Sequence, residues 1–530
     1  SLLQISIKVA NDAPADIKSN LVRAWSEFPE EWVNESPQVY NLRPCLFTLC
    51  FYHAVIQGRR RFGQQGWSIK YSFNTGDLKT CGDVLKAWIG RATEVPWTDI
   101  RYILSGIMYG GHITDYWDRR CNTTYLDVLL QKDIFTGFEL GHEFFAPNPK
   151  LEYTEMTEHI LKTLPRDSPP LYRMHPNAEI GYLSTTSDLL FTVIMQVEVG
   201  GGGGSGGGGN TGELKNTIAK LTENLPERFN EVDIKLRAQD LLEGPEAPFV
   251  LVCMQEVKRM NYLTLLMLDS MEQLRKGLNG ELNMTKQMED LSAALTINQV
   301  PGRNIFSSMS WEAFAWPSKR TLRGWYKDII LRIKQLADWQ ESLQRPKAVW
   351  IPGLFNPMAF VTAVMQATGR VRGLALDTMT CETHPTVMTD TSNCLSHPED
   401  GAYIHGLFIE GARWGACSAL VNEDDEDEED EEDDLYEVSG VKCGGHLCDS
   451  KLKELLPRMP VMYLKAVPTQ ANWMATEVGY IRLNPYIYEC PIYSTTFRGN
   501  TYIAMATLKC VDPQEKWVLA AAALIMQEDE

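Results

Sequence analysis

The sequence predicts an α+β protein in which an all-helical N-terminal region precedes a second region with a helical half and then an antiparallel β-barrel half. Three observations carry this. Trp117, Cys121, Tyr125 and Val128 recur at spacings of four, four and three, which lines up one apolar face of a helix. Val250, Cys253, Val257, Met260, Met267, Met271, Leu274 and Leu278 keep alternating steps of three and four, with Thr264 the one polar exception, as a long core-facing helix does. After Pro352, short segments rich in β-branched and aromatic residues recur between Gly, Pro and Asn, the pattern of strands.

Taken in order, the elements follow from local chemistry. Helical stretches are expected at Phe47 to Val55, Val84 to Ile89, Asp99 to Met108 and Asp115 to Phe135. Gly110-Gly111 marks a sharp bend before the last of these, through backbone angles open to glycine, with Thr114 as its N-cap and Asp115 and Asp118 in its first turn. Pro147 to Pro176 reads as a connecting arm, and Asn177 to Val199 returns to order. Gly200 to Gly209 is nine glycines around Ser205, which bury too little to offset the entropy of ordering and so form a flexible loop. The long helix from Val250 also carries Leu263, Leu266 and Leu282 opposite its main face, so it packs on two sides inside a domain rather than forming a coiled coil. A second helix runs from Leu322 to Leu343. Strands are expected at Met459 to Ala466, Ile492 to Thr496, Tyr502 to Lys509 and Trp517 to Met526, with one helix retained at Phe360 to Thr368. The regions are 1–165, 166–345 and 346–530.

Hydrophobic residues make up 44% and aromatic residues 10%, enough to bury ordinary cores. No apolar run reaches the ~18 residues that span a bilayer, so no membrane partner is expected. The net charge is −19, and the run Glu423 to Asp434 supplies twelve of those negative charges, leaving about −7 elsewhere. That balance argues against a general nucleic-acid surface, which needs clustered Lys and Arg. Twelve Cys without framework spacing fit a reducing compartment.

Site chemistry is sparse. The sequence has no GxxxxGK[ST] phosphate cradle. Phe249 to Glu256 superficially looks like a strand ending in an acidic metal ligand, but it lacks an adjacent Asp. Arg119 and Arg120 could sense a nucleotide, though helix-face ion pairs explain them as well. Cys381, His384, Cys394 and His397 form two C-x-x-H pairs of the ligand types zinc prefers, and the expectation is that they hold no metal. No catalytic set is expected. Trp350, Ile351, Leu354, Phe355 and Phe360 are too apolar a run to face water, so this stretch is expected to plug the joint between the helical and strand-rich halves.

The string YGGHITDYWDRR from Tyr109 to Arg120 resembles a signature near the end of the motor ring in dynein heavy chains. Further matches stand in the same order: Asn11 to Leu21, His53 to Trp67, Phe73 to Leu78, His175 to Ile180, Trp350 to Phe360, Gly401 to Trp414, Tyr488 to Tyr493 and Lys516 to Ala520. The wording is most similar to axonemal outer-arm chains of the beta type. The resemblance makes Gly110, Gly111, His112, Asp115, Trp117, Asp118, Arg119, Trp350, Gly353, Phe355, Asn356, Pro357, Gly411, Arg413 and Trp414 structural signature residues. It implies that 1–165 is the helical lid of the sixth AAA+ module and that the rest is the C-terminal domain. The sequence starts at Ser1 without a methionine and is read as a fragment, with the nucleotide-binding half of the module before it.

What the resemblance implies for function is mechanical. The parent is an ATP- and magnesium-dependent, minus-end-directed microtubule motor of the ciliary or flagellar axoneme, a cytoskeletal assembly reached from the cytoplasm. This segment itself would have no cofactor and no ATPase activity. It would close and staple the ring and tune strain, with neighbouring AAA+ modules and the heavy, intermediate and light chains of the complex as partners. Contact with the microtubule would come only through other parts of the parent. The rival reading is a regulatory docking surface built from the barrel and the acidic run, and a zinc hydrolase on the Cys/His pairs is a third.

Overall fold

The computed structural model describes residues 16–201, 210–302, 310–316, 318, 320–415, 436–469 and 485–526. Within these limits lie Gly200 and Gly201, which end the helix Asn177–Gly201. The rest of the glycine run, the acidic run 423–434 and the first five residues of the Asn11 to Leu21 match lie outside the described residues. The chain folds as two compact units. The first comprises 1–183 with 449–455 and 512–522, and the second comprises 184–448 with 456–511 and 523–530.

The first unit is helical apart from the strands β1 (Glu139–Gly141) and β2 (Phe144–Phe145). Its centre is the helix Val39–Gly58, which is buried on nearly all faces because the helices Ile17–Ser26, Thr75–Arg91 and Tyr116–Leu129 surround it. Asn74 starts the Thr75–Arg91 helix: its side chain accepts from Gly76 and Asp77 N–H at 2.7 and 3.2 Å, and the Asp77 carboxylate accepts from Asn74 N–H at 2.9 Å. The expected arm from Pro147 to Pro176 contains a helix, Tyr153–Thr163, started where Glu155 reaches back to the Glu152 N–H at 2.8 Å. The prolines flank that helix and do not interrupt it. No helix among the described residues is long and apolar enough to cross a membrane.

The second unit is built on the helix Ala247–Leu278. Every position of its expected apolar face is buried except Leu278, and Thr264 satisfies its hydroxyl by donating to Met260 C=O at 2.8 Å. The helices Asn210–Glu223, Lys286–Thr296, Leu322–Ser342 and Pro357–Arg372 pack around it, so it is an internal element.

The strands correct the expectation of a closed barrel. The strands β3 (Val349–Trp350), β4 (Met379–Pro385), β5 (Ala402–His405) and β11 (Met462–Pro468) form one sheet in the order β3-β5-β11-β4. A second sheet takes β6 (Phe408–Glu410), β12 (Ile487–Tyr493), β13 (Tyr502–Lys509) and β14 (Ala523–Ile525) in the order β13-β12-β14-β6. Three smaller strand pairs complete the set: β1 with β2, β7 (Arg413–Gly415) with β10 (His446–Cys448), and β8 (Tyr436–Val438) with β9 (Val441–Cys443). Most pairs are antiparallel, but β3 pairs with β5, and β12 with β14, in parallel. Among the described residues no ring of strands closes. Closure needs both edges of a sheet to find partners, and here one end of each ladder is a strand of only two or three residues, β3 or β6, while the other ends, β4 and β13, pack together without pairing as strands and Pro357–Arg372 lies against both.

One expected strand changes identity. Trp517 to Met526 is the end of a helix, Gln514–Ala520, followed by β14; the backbone turns at Ala521, which takes the left-handed φ of 56°. A ten-residue apolar run fits either class by pattern alone.

Candidate functional site

The signature residues concentrate at joints between elements. Gly110 and Gly111 do not adopt positive φ; with His112 they form a 3-10 turn. Gly110 is required for space, because a Cβ there would sit 1.9 Å from Ser105 C=O. Asp115, not Thr114, caps the following helix, accepting from Trp117 and Asp118 N–H at 2.9 and 3.0 Å. Asp118 is buried and binds the loop before the Thr75–Arg91 helix: its carboxylate accepts from Ser68 N–H, Ile69 N–H and Tyr71 hydroxyl at 3.0, 3.2 and 2.9 Å. Burial raises its pKa and these donors oppose the rise. Arg119 donates to Ile113 C=O at 2.8 Å, His112 meets the Asp77 carboxylate at 3.2 Å, and Trp117 lies beneath the Arg120 guanidinium at 5.6 Å. The Arg119 bond closes the turn on itself, whereas His112 reaches the Thr75–Arg91 helix.

Two residues that sequence reasoning passed over hold distant segments inside the same unit. Arg59 is fully buried and donates to the carbonyls of Gly66, Gln65 and Leu519 and to the Tyr125 hydroxyl, at 2.9, 3.3, 2.8 and 2.7 Å. Gln65 adds a bond to Ala520 C=O at 3.4 Å, and Arg120 one to the Gln514 side chain at 3.0 Å. Asn177 donates to the carbonyls of Lys451 and Glu454 at 2.9 and 3.0 Å and accepts from Lys453 N–H at 2.8 Å. Both residues sit inside strings quoted for the resemblance, and that was the available signal. Which carbonyls they would reach, hundreds of positions away, no spacing reveals.

In the second unit, residues 349–357 tie helices to a sheet. Trp350 pairs with His405 as part of β3, while the Gln335 amide brackets its backbone, accepting from N–H at 2.8 Å and donating to C=O at 3.1 Å. Gly353 admits this approach, since a Cβ would lie 2.5 Å from the Trp350 ring and 2.7 Å from Gln335 Nε2. The Glu256 carboxylate accepts from Phe355 and Asn356 N–H at 2.6 and 2.9 Å, and burial raises its pKa against those bonds. Asn356 caps the helix that Pro357 begins, accepting from Ala359 N–H at 3.2 Å. Glu256 thus stands on a helix as an anchor for backbone, which replaces the superficial likeness to a strand-borne metal ligand. Trp350 and Phe355 are half-buried, so this stretch seals the joint less completely than its composition suggested. Gly411 turns the backbone at φ 79° between β6 and β7, and Arg413 and Trp414 lie in β7 opposite Cys448 and Leu447.

The structure does not gather the zinc candidates. Cys381 Sγ donates to Val361 C=O, His384 lies near Glu382 and Tyr436, Cys394 faces Met388, and His397 bonds to Arg345. Among the described residues no group of three or more His, Cys, Asp or Glu is placed to hold a metal. Burial pushes the thiols of Cys81, Cys253 and Cys381 up to about 12, which keeps them protonated and poorly nucleophilic at neutral pH.

The first unit is helical and takes in two later segments of the chain, and the second mixes helices with strands. Residues 42–178 match the model of the AAA lid domain of dynein heavy chains, and 183–526 match that of their C-terminal domain. The protein belongs to the dynein heavy chain family. It is 38% identical over 528 residues to the ciliary dynein beta chain of Heliocidaris crassispina. It is 37% identical over 528 residues to dynein axonemal heavy chain 17 of Homo sapiens, and 40% identical over 562 residues to the flagellar outer-arm dynein alpha chain of Chlamydomonas reinhardtii. These alignments cover 99–100% of this sequence but only 11% of each relative, so it spans about a ninth of their length.

Proposed function

We propose that this segment is a mechanical closure of an axonemal motor ring: it staples the last lid and transmits or tunes strain, and it catalyses nothing itself. The observation that carries the reading is that 449–455 and 512–522, which fall inside the span of the C-terminal-domain match, fold within the lid unit through Arg59 and Asn177. A lid bonded to segments that return twice from the following domain cannot shift without pulling on them. The parent is proposed to be a microtubule-dependent ATPase of cilia or flagella, acting with other dynein chains and binding ATP and magnesium outside this segment. The relatives, a ciliary, an axonemal and a flagellar outer-arm dynein chain, support that context. The rival reading, a regulatory docking surface, is built from the strand-rich half together with the 423–434 run, and that run lies outside the described residues.

The test is Asn177→Ala in the complete heavy chain, with basal ATP turnover and microtubule gliding measured together. Loss of three hydrogen bonds is expected to cut gliding velocity or stall force severalfold while basal turnover stays near normal. A folded variant that glides and stalls like the parent would remove the mechanical role.

A further inference from the structure

Residues 319–337 carry six Lys and Arg and one acid, in a sequence whose net charge is −19. The acid, Asp328, is buried and already paired with the buried Arg332 at 3.1 Å. Other cations of this stretch take no part in the core. Arg323, Lys327 and Lys334 are exposed on the helix Leu322–Ser342, whose buried face includes Leu322, Trp325, Ile329, Ile333 and Leu336. Steps of four and seven put the three cations in one stripe about 17 Å long. Arg320 lies against the first turn of the same helix, since a Cβ on Gly324 would meet its Cβ at 3.5 Å and its Cδ at 3.8 Å. None of these four side chains has an ion-pair or hydrogen-bond partner among the described residues. The basic stripe stops before Asp338 and Glu341, which are exposed at the far end of the helix. Like charges four apart oppose helix formation, so Arg323 beside Lys327 is a cost that an opposing negative charge would relieve.

The sequence itself supplies that charge. Glu423 to Asp434 is twelve consecutive acids, and it belongs to the same unit as the helix. Glu423 stands eight positions after Gly415 of β7, and Asp434 two before Tyr436 of β8. At ~3.3 Å per residue the middle of the run can stand about 26 Å from Tyr436. A unit of this size has a radius of gyration of about 20 Å, so the tether is long enough to bring the run to other faces of the unit. A tethered segment acts at an effective concentration of about a millimolar, which an acidic partner in solution would have to exceed.

We propose that the stripe of Arg320, Arg323, Lys327 and Lys334 is the docking surface for this chain's own acidic run, 423–434. Docking relieves repulsion within both like-charge clusters and withholds the four cations from any other acidic surface. The experiment treats the full 530-residue protein with a water-soluble carbodiimide, which joins a carboxylate to a lysine amine with loss of water and leaves no spacer. Digestion and mass spectrometry should find the run joined to Lys327 or Lys334. The yield should fall about fivefold between 10 mM and 1 M salt, as the screening length shortens from about 30 Å to 3 Å. Replacing Arg320→Glu and Arg323→Glu together keeps both lysine acceptors and should lower the yield about threefold at 10 mM salt, where exposed charges attract over the length of the stripe. Arg323→Glu alone, at an exposed position, carries this comparison if the double variant does not fold. A mixture of ¹⁵N-labelled and unlabelled protein separates the possible occupants: single-isotope cross-links place the run of the same chain on the stripe, and mixed-isotope ones place a second copy there. Mixed-isotope products, cross-links of the run confined to other lysines such as Lys442 and Lys465, no cross-link at all, or a yield indifferent to salt and to the Glu variants would each overturn the proposal.

Discussion

Arg59 bonds to four groups from three parts of the sequence, and a substitution there would disturb all of them at once. His53 offers a cleaner measurement at the residue scale. It is 3% exposed, bonded to the Tyr109 hydroxyl at 2.9 Å through Nδ1 and to the Gln57 amide at 2.9 Å through Nε2. Burial pushes its pKa from 6.5 down to about 4, against the pull of Asp77. The folded state therefore binds its proton less tightly than the unfolded state does. The stability this confers is present above pH 6.5 and is lost as pH falls towards 4. The loss amounts to roughly 3 kcal/mol at this one site. Denaturant titrations between those pH values should show a shallower decline for His53→Gln than for the parent. An unchanged slope would mean that the imidazole is charged in the fold. His405, also held to about 4 by burial, leaves a residual slope in the variant.

At the scale of elements, several motif residues turn out to start or stop secondary structure. Asn74 and Asp77 form a reciprocal cap, Asp115 caps the helix after the Gly-Gly turn, and Asn356 with Pro357 opens the helix that packs against the sheets. Asn74→Ala should cost about 1 kcal/mol, read as a lowered chemical midpoint, because two backbone donors lose their acceptor. Asn74→Asp should recover most of it, since a carboxylate accepts the same bonds and suits a helix N-terminus. Failure of the Asp variant to recover would place the cost in packing and not in the cap.

For the whole molecule, the informative fact is that the fold does not follow sequence order. Trp517 is 0% exposed and belongs to a helix that packs on Tyr116–Leu129 in the first unit. Trp517→Ala should cost about 3–5 kcal/mol from lost burial and the cavity left behind. Hydrogen exchange should show the loss in the helices Val39–Gly58 and Tyr116–Leu129, hundreds of positions upstream, rather than in the neighbouring β13. Lost protection confined to β13 would show that the C-terminal helix contributes nothing to the first unit.

Sequence by itself determined the helices with long periodic faces, the α+β class and the family, because periodicity and exact strings are local properties that do not depend on what packs against them. Individual elements show where that ends. The Ala247–Leu278 helix was legible because one spacing rule holds along its whole buried face, whereas Trp517 to Met526 obeyed two rules and became a helix and a strand. Only the tertiary structure decided that the strands make two open mixed sheets, since pairing depends on partners far along the sequence. Likewise, only the tertiary structure set the roles of Arg59, Asn177, Glu256 and Arg332. A buried polar group takes its meaning from what it meets, and what it meets is settled only when distant segments have packed.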